Sequence, residues 1–146
     1  MNYMIEADSR IDIFEKFGVN SVLEIMFLAV LNDYNGKGIG CELVKYSVEL
    51  AEDIKSGKDR EKYLGSGEPA PQLVAALWTG RGTQAIGKKL GFEVIFKETF
   101  AHFSFEGKNF AERVKDLSLE HHVAVKKSDW WLQFFTLWLF VNQLAD

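Results

Sequence analysis

Six consecutive residues have the types and spacing to hold a phosphate: Asn35-Gly36-Lys37-Gly38-Ile39-Gly40. They stand between an apolar run, Glu24-Ile25-Met26-Phe27-Leu28-Ala29-Val30, and a segment of helical periodicity. Glycines at such a junction let backbone approach backbone or ligand with no Cβ in the way. The helix that follows turns unpaired N–H groups and the positive end of its dipole toward the same place. Together these make an anion site suited to a phosphate or pyrophosphate, which points to a nucleotide-like cofactor. Two familiar phosphate loops do not fit. A Walker loop needs Gly, four residues, then Gly-Lys-Ser/Thr, and a Rossmann turn needs a third glycine where Cys41 or Leu43 stands.

Other reactive side chains read more plainly. Cys41 has no histidine suggested as its base, so a buried core thiol is expected rather than a nucleophile. His121 and His122 are adjacent and on a strand would point to opposite faces, so they make no metal pair. No other Cys/His/Asp/Glu spacing suits a metal, and none is predicted.

Several elements must position the loop. Ser9-Arg10-Ile11-Asp12 has the form of a helix N-cap, followed by Ile13, Phe14 and Phe17 on one face and by Gly18 as a stop. Residues 22–30 read as a strand buried on both sides. Leu43, Ser47, Leu50, Ala51 and Ile54 predict a helix over 41–55 packed on a sheet. Residues 56–71 hold both prolines and read as an exposed loop. A second core strand is expected over 73–78, then a short helix over 83–90 closed by Gly91 in a left-handed position with Phe92 packing back. Residues 93–105 alternate well enough for one long strand with Val94 and Phe96 on the same face. A helix over 110–117 and a strand over 122–126 complete the domain. Phe92, Phe96, Phe100, Phe103 and Phe105 are expected in the core or along a substrate wall.

The chain of 146 residues suits one domain with a sizeable core. A net charge of −4 argues against nucleic acid as the main partner, because a phosphate backbone wants a basic face. One cysteine excludes an internal disulfide and fits a reducing compartment; with no secretory signal visible, a cytoplasmic location is expected. Residues 130–141 are almost wholly apolar but too few to span a bilayer, which takes about 20 as a helix. A docking helix, an interfacial segment or a surface for self-association all remain open for this tail.

The loop resembles motif A of the GCN5-related N-acetyltransferases, Arg/Gln-x-x-Gly-x-Gly/Ala, with Asn35, Gly38 and Gly40 at its fixed places and Asn35 departing from the first. Leu28-Ala29-Val30 is similar to the end of that family's preceding strand, and Lys88-Lys89-Leu90-Gly91-Phe92 to its Gly-Phe ending. Asp12-Ile13-Phe14-Glu15-Lys16-Phe17, Phe105-Glu106-Gly107-Lys108 and His121 resemble the insect arylalkylamine acetyltransferase branch. The resemblance implies a mixed α/β fold, a central mixed sheet flanked by helices, with the acetyltransferase-like domain over 1–128 and the aromatic tail over 129–146. It also implies that the family's N-terminal strands and helices are lacking, since only about thirty residues precede Asn35.

The chemistry it implies is direct acetyl transfer from acetyl-CoA to a primary amine, a small arylalkyl or aliphatic one. The alternative is an inactive cofactor-binding or interaction remnant of the same fold. Leu28, Ala29 and Val30 would supply main-chain contacts, one N–H polarising the thioester carbonyl as an oxyanion hole does. The amides of Gly36, Lys37, Gly38, Ile39, Gly40 and Cys41 would cradle the pyrophosphate, with the Lys37 cation beside it. Thr83 matches a polar position that touches the cofactor, although a plain helix cap explains it as well. Glu24 matches a glutamate base of the histone-acetyltransferase branch, and desolvation on an apolar strand would raise its pKa. An exposed strand-end carboxylate is its ordinary reading. The family's tyrosine acid has no counterpart, because Gly87 stands four residues before Gly91.

Overall fold

The computed structural model describes residues 9–105, 107–114 and 120–127. Its first element is a short helix, α1 (Ile13–Phe17), capped by Asp12 rather than Ser9. The Asp12 carboxylate accepts from the Glu15 N–H at 2.9 Å, the N3 bond an N-cap makes, and Gly18 ends the helix at φ 62°. Strands β1 (Val22–Ile25) and β2 (Leu73–Trp78) then run parallel, from Val22 opposite Leu73 to Ile25 opposite Ala76. Between them lie α2 (Ile39–Ser56) and a four-residue helix, α3 (Arg60–Tyr63), inside what sequence reads as a loop.

Helix α4 (Arg81–Lys89) follows β2 and starts two residues before the expected position, because Thr83 caps it from inside the first turn. Gly91 takes φ 73° and the Phe92 N–H donates to Gly87, so the expected left-handed exit is present. Next come β3 (Glu93–Thr99), a 3₁₀ turn (Phe100–His102), a small hairpin of β4 (Ser104–Phe105) and β5 (Lys108–Asn109), α5 (Phe110–Val114) and β6 (Glu120–Lys127). The sheet order is β1-β2-β6-β3, with β6 antiparallel to both neighbours. It is the mixed sheet flanked by helices that the sequence implies. Residues 115–117 of the expected helix and the tail 129–146 lie outside the described residues.

Two departures have a packing cause. The expected strand over 93–105 breaks at Phe100–His102, because Phe100 and Phe103 are both buried, and a 3₁₀ turn brings positions three apart to one side. A bulge between Val94 and Phe96 also separates residues expected on one face. Val94 pairs with Ala124 toward the helices, whereas Phe96 pairs with Val123 and lies beside His121 on the other face.

The core on the helix side joins Val44, Val48 and Ala51 of α2 to Val74, Ala76 and Trp78 of β2, with Phe92 and Ala124. Lys126 reaches from β6 to donate to the Leu90 carbonyl at 2.6 Å, which satisfies the end of α4. On the opposite face His121 is fully buried, with the rings of Phe103 and Phe100 centred 5.1 and 5.7 Å away.

Burial pushes the His121 pKa below its ordinary 6.5; Arg10 and His122 add to the depression, and Glu98 and Glu120 oppose it. The unfolded chain therefore binds the extra proton first as pH falls. Stability from this group is present above 6.5 and is lost below it, at no more than about 1.4 kcal/mol per pH unit. His122 shifts the same way, chiefly through burial. Urea denaturation from pH 8 to 5 should show the loss, shallower in His121→Phe than in the wild type. Parallel slopes would mean that His121 does not carry it.

Candidate active site

The site begins where β1 leaves β2. Their ladder ends at Ile25 and Ala76, while β2 runs on to Trp78 against β6 alone. Residues 27–30 pair with no other described strand, so the buried strand expected over 22–30 is only four residues long. Phe27 is 82% exposed, whereas Leu28 packs against the helix-side core. The divergence leaves the backbone groups of Leu28, Ala29 and Val30 outside the ladder, at the carboxyl ends of two parallel strands. That is where open α/β sheets take their ligands.

A helix starts beside each of these strand ends. At α4 the first turn is closed by its own side chain: the Thr83 hydroxyl accepts from the Gly80 N–H at 3.3 Å and donates to the Gly80 carbonyl at 2.9 Å. Thr83 is thus engaged as the cap its ordinary reading foresees. At α2 the N-cap is Gly38, with no side-chain cap, so the amides of Ile39, Gly40 and Cys41 stand at an open helix terminus. Gly36 and Gly38 take φ 75° and 82°, and a Cβ at either would meet nothing within 4 Å, so the loop is open on its outer side. Gly40 serves close approach instead: its Cβ would come within 3.3 Å of Ile86 on α4 and 3.8 Å of Val30.

The polar residues of the loop turn partly on one another. Asn35 donates to the Asn32 side chain at 3.3 Å, and the Lys37 ammonium lies 5.0 Å from the centre of the Tyr34 ring. Cys41 is half-buried rather than a core thiol, because it sits in the first turn of α2 at the loop.

Glu24 points to the opposite face from α2, since Leu23 and Ile25 pack into the helix-side core. There it lines a cavity of about 420 Å³ with Ile11, Asp12 and Phe14 of the α1 region, Leu77 of β2 and Val123 of β6. Glu24 itself is exposed. The reason is its place on the edge of the described sheet.

At Gly87 the structure shows more than a missing side chain. A Cβ there would fall 2.4 Å from Trp78 Nε1, so the indole occupies the space in which a side chain at 87 would begin. Trp78 is 3% exposed and its N–H has no acceptor among the described residues. Sequence reading missed this tryptophan, although a large aromatic ending β2 and a glycine inside α4 are the two halves of one packing contact.

No protein-family model matches the chain, and no curated protein matches it in sequence. Solved structures do match. The arylalkylamine N-acetyltransferase 2 of Aedes aegypti aligns over 87% of this chain at 19% identity, with a TM-score of 0.59. An agmatine N-acetyltransferase aligns over 86% at 16% identity and 0.59, and Arabidopsis thaliana NAA60, solved with acetyl-CoA, over 82% at 14% and 0.50. The fold is that of the GCN5-related N-acetyltransferases. The chain spans about half the length of these structures, 52%, 54% and 56% of each. Within that fold, the pair β1 and β2, the glycine loop and α2 adjoin one another beyond the end of the parallel ladder.

The Trp78–Gly87 contact gives a stability test. Gly87→Ala should cost about 1–3 kcal/mol by overpacking, and Trp78→Leu should absorb most of that cost in the double variant. Additive losses in a double-mutant cycle would show that the two residues do not share the space.

Proposed function

We propose that this chain binds acetyl-CoA at the glycine loop and transfers its acetyl group directly to a small primary amine, arylalkyl or aliphatic. The observation that carries this reading is the open N-terminus of α2 beside the β1–β2 divergence, with Gly36 and Gly38 leaving the approach clear. These groups fit a pyrophosphate followed by an extended amide-bearing arm. The amides of residues 36–41 would hold the phosphates, and main-chain groups of Leu28, Ala29 and Val30 would align the arm as an added strand aligns. Bound acetyl-CoA supplies an acyl group activated as a thioester. An N–H in the Val30 region would donate to the oxygen on which negative charge develops.

The acceptor would occupy the cavity on the Glu24 face. Its lining charges, Asp12 and Glu24, are both acidic, and its walls include Ile11, Phe14 and Leu77, a setting for an ammonium on an apolar body. The Glu24 carboxylate would take the proton that must leave the amine before it attacks. Holding both reactants across the gap supplies proximity, so no covalent enzyme intermediate is required. With the indole of Trp78 at position 87, no side chain there can protonate the departing thiolate, which leaves as the more stable anion. The same contact favours a second reading, a cofactor-binding module without turnover.

Acetyl-CoA should raise the thermal midpoint of the purified chain by mass action. Gly38→Asp should abolish the rise, because it strains a φ of 82° and sets a carboxylate against the phosphates. A rise retained in Gly38→Asp, or absent from the folded wild type, would sink the site. Glu24→Gln should lower kcat/KM for a small arylalkylamine by about 10²-fold, followed by thiol release, while the acetyl-CoA shift stays unchanged. Full activity in that variant would remove Glu24 as base. A normal cofactor shift with no amine acetylated by the wild type would leave the second reading.

A further inference from the structure

On the far side of α4 from the glycine loop lies a second cavity, of about 370 Å³, lined by Trp78, Gly87, Lys88, Phe92, Lys97 and His122 among others. Ile86 turns toward Gly40 and the loop, whereas Gln84 and Lys88 stand on the opposite flank of the helix. Across the floor, Trp78 pairs with His122 and His122 with Lys97, so three neighbouring strands place these side chains in one row on the helix face. The ionisable side chains lining the cavity are all basic. Its apolar part is aromatic and branched, from Trp78, Phe92 and Val94.

One buried polar group here is unsatisfied. The Trp78 indole N–H is shut off from solvent and has no acceptor among the described residues, although Gln84 beside it donates to the Trp78 and Glu120 carbonyls. Leaving a buried donor unmade costs about 1–3 kcal/mol, and an entering acceptor would recover part of it. We propose that this cavity binds a small organic anion, a carboxylate or phosphate carried on a flat apolar body. The anion sits between Lys88 and Lys97, its oxygen accepts from the indole, and its body lies against Phe92 and Val94. Beside the cavity, burial lowers the His122 pKa and the Lys97 charge lowers it further, while the Glu120 carboxylate, 3.8 Å from Nε2, raises it. This site stands independently of the acetyl-transfer reading.

The test titrates the full chain with phenyl phosphate, benzoate and neutral benzyl alcohol. It reads the thermal midpoint and the imidazole NMR signals, with His122 assigned through His122→Gln. Both anions should raise the midpoint saturably and raise the His122 pKa, and benzyl alcohol should do neither. Lys88→Ala and Lys97→Ala should each weaken anion binding about tenfold, the scale of one charge-assisted hydrogen bond. Trp78→Phe removes the N–H together with part of the indole; the folded variant, its own unliganded midpoint taken as reference, should bind the anions at least as weakly as the lysine variants. An equal response to benzyl alcohol would reduce the site to an apolar hole. Anion binding that ignores the lysines, or no saturable response, would overturn it.

Discussion

The parallel ladder between β1 and β2 stops at Ile25 and Ala76, and the rest of the site follows from that stop. Had β1 continued through residues 27–30, their amides would be spent on β2 and the glycine loop would be drawn against the sheet edge. Because β1 leaves, β2 projects to Trp78 beside β6, and the chain turns through two left-handed glycines into an 18-residue helix. Gly40 then lets that helix approach Val30 and Ile86 more closely than an alanine would. The opening is held by packing on both sides: Leu23, Ile25 and Leu28 sit on the helix-side core, while α2 buries Val44, Val48 and Ala51 on β2.

Trp78 is the hinge of the second constraint. It meets Phe92 edge-on, with ring centres 5.4 Å apart, and lies flush on Gly87. An indole reaching up from the strand lies where a side chain at position 87 would begin. The contact fills the volume and leaves the indole N–H, rooted on β2, buried and without an acceptor among the described residues. That unsatisfied donor raises the energy of the unliganded chain, which makes an acceptor at this point more effective than the same contact on an exposed surface.

Much of this was legible from residue order. The glycine loop, the strand over 73–78, the Gly91 exit and the opposite-facing pair His121 and His122 follow from local rules about φ, period and alternation. What escaped depended on contacts distant in sequence. An apolar run such as 22–30 says that its residues are not solvated by choice; it does not say at which residue a partner strand ceases to be available. The bulge at Ile95 is invisible for the same reason: alternation puts Val94 and Phe96 together, and only pairing with β6 parts them. The exposure of Glu24 was not legible either, because solvent contact is set by what lies above a strand edge, and no pattern along β1 carries that. Asp12 took the cap from Ser9 because one carboxylate reached the Glu15 amide, a choice among equally good cap residues.

The distribution of charge across the sheet ties these pieces together. On one face Asp12 and Glu24 line a cavity with apolar walls; on the other stand the open N-terminus of α2, Lys88, Lys97 and the half-buried Lys126. Between them is a layer of buried aliphatic and aromatic side chains through which a charged ligand cannot pass without losing its hydration. Ligands on the two faces would therefore be kept apart everywhere except beyond Ile25, where the ladder has opened. Backbone geometry thus selects the meeting place. The exchange proposed between an amine and a phosphate-bearing donor would take place at that opening.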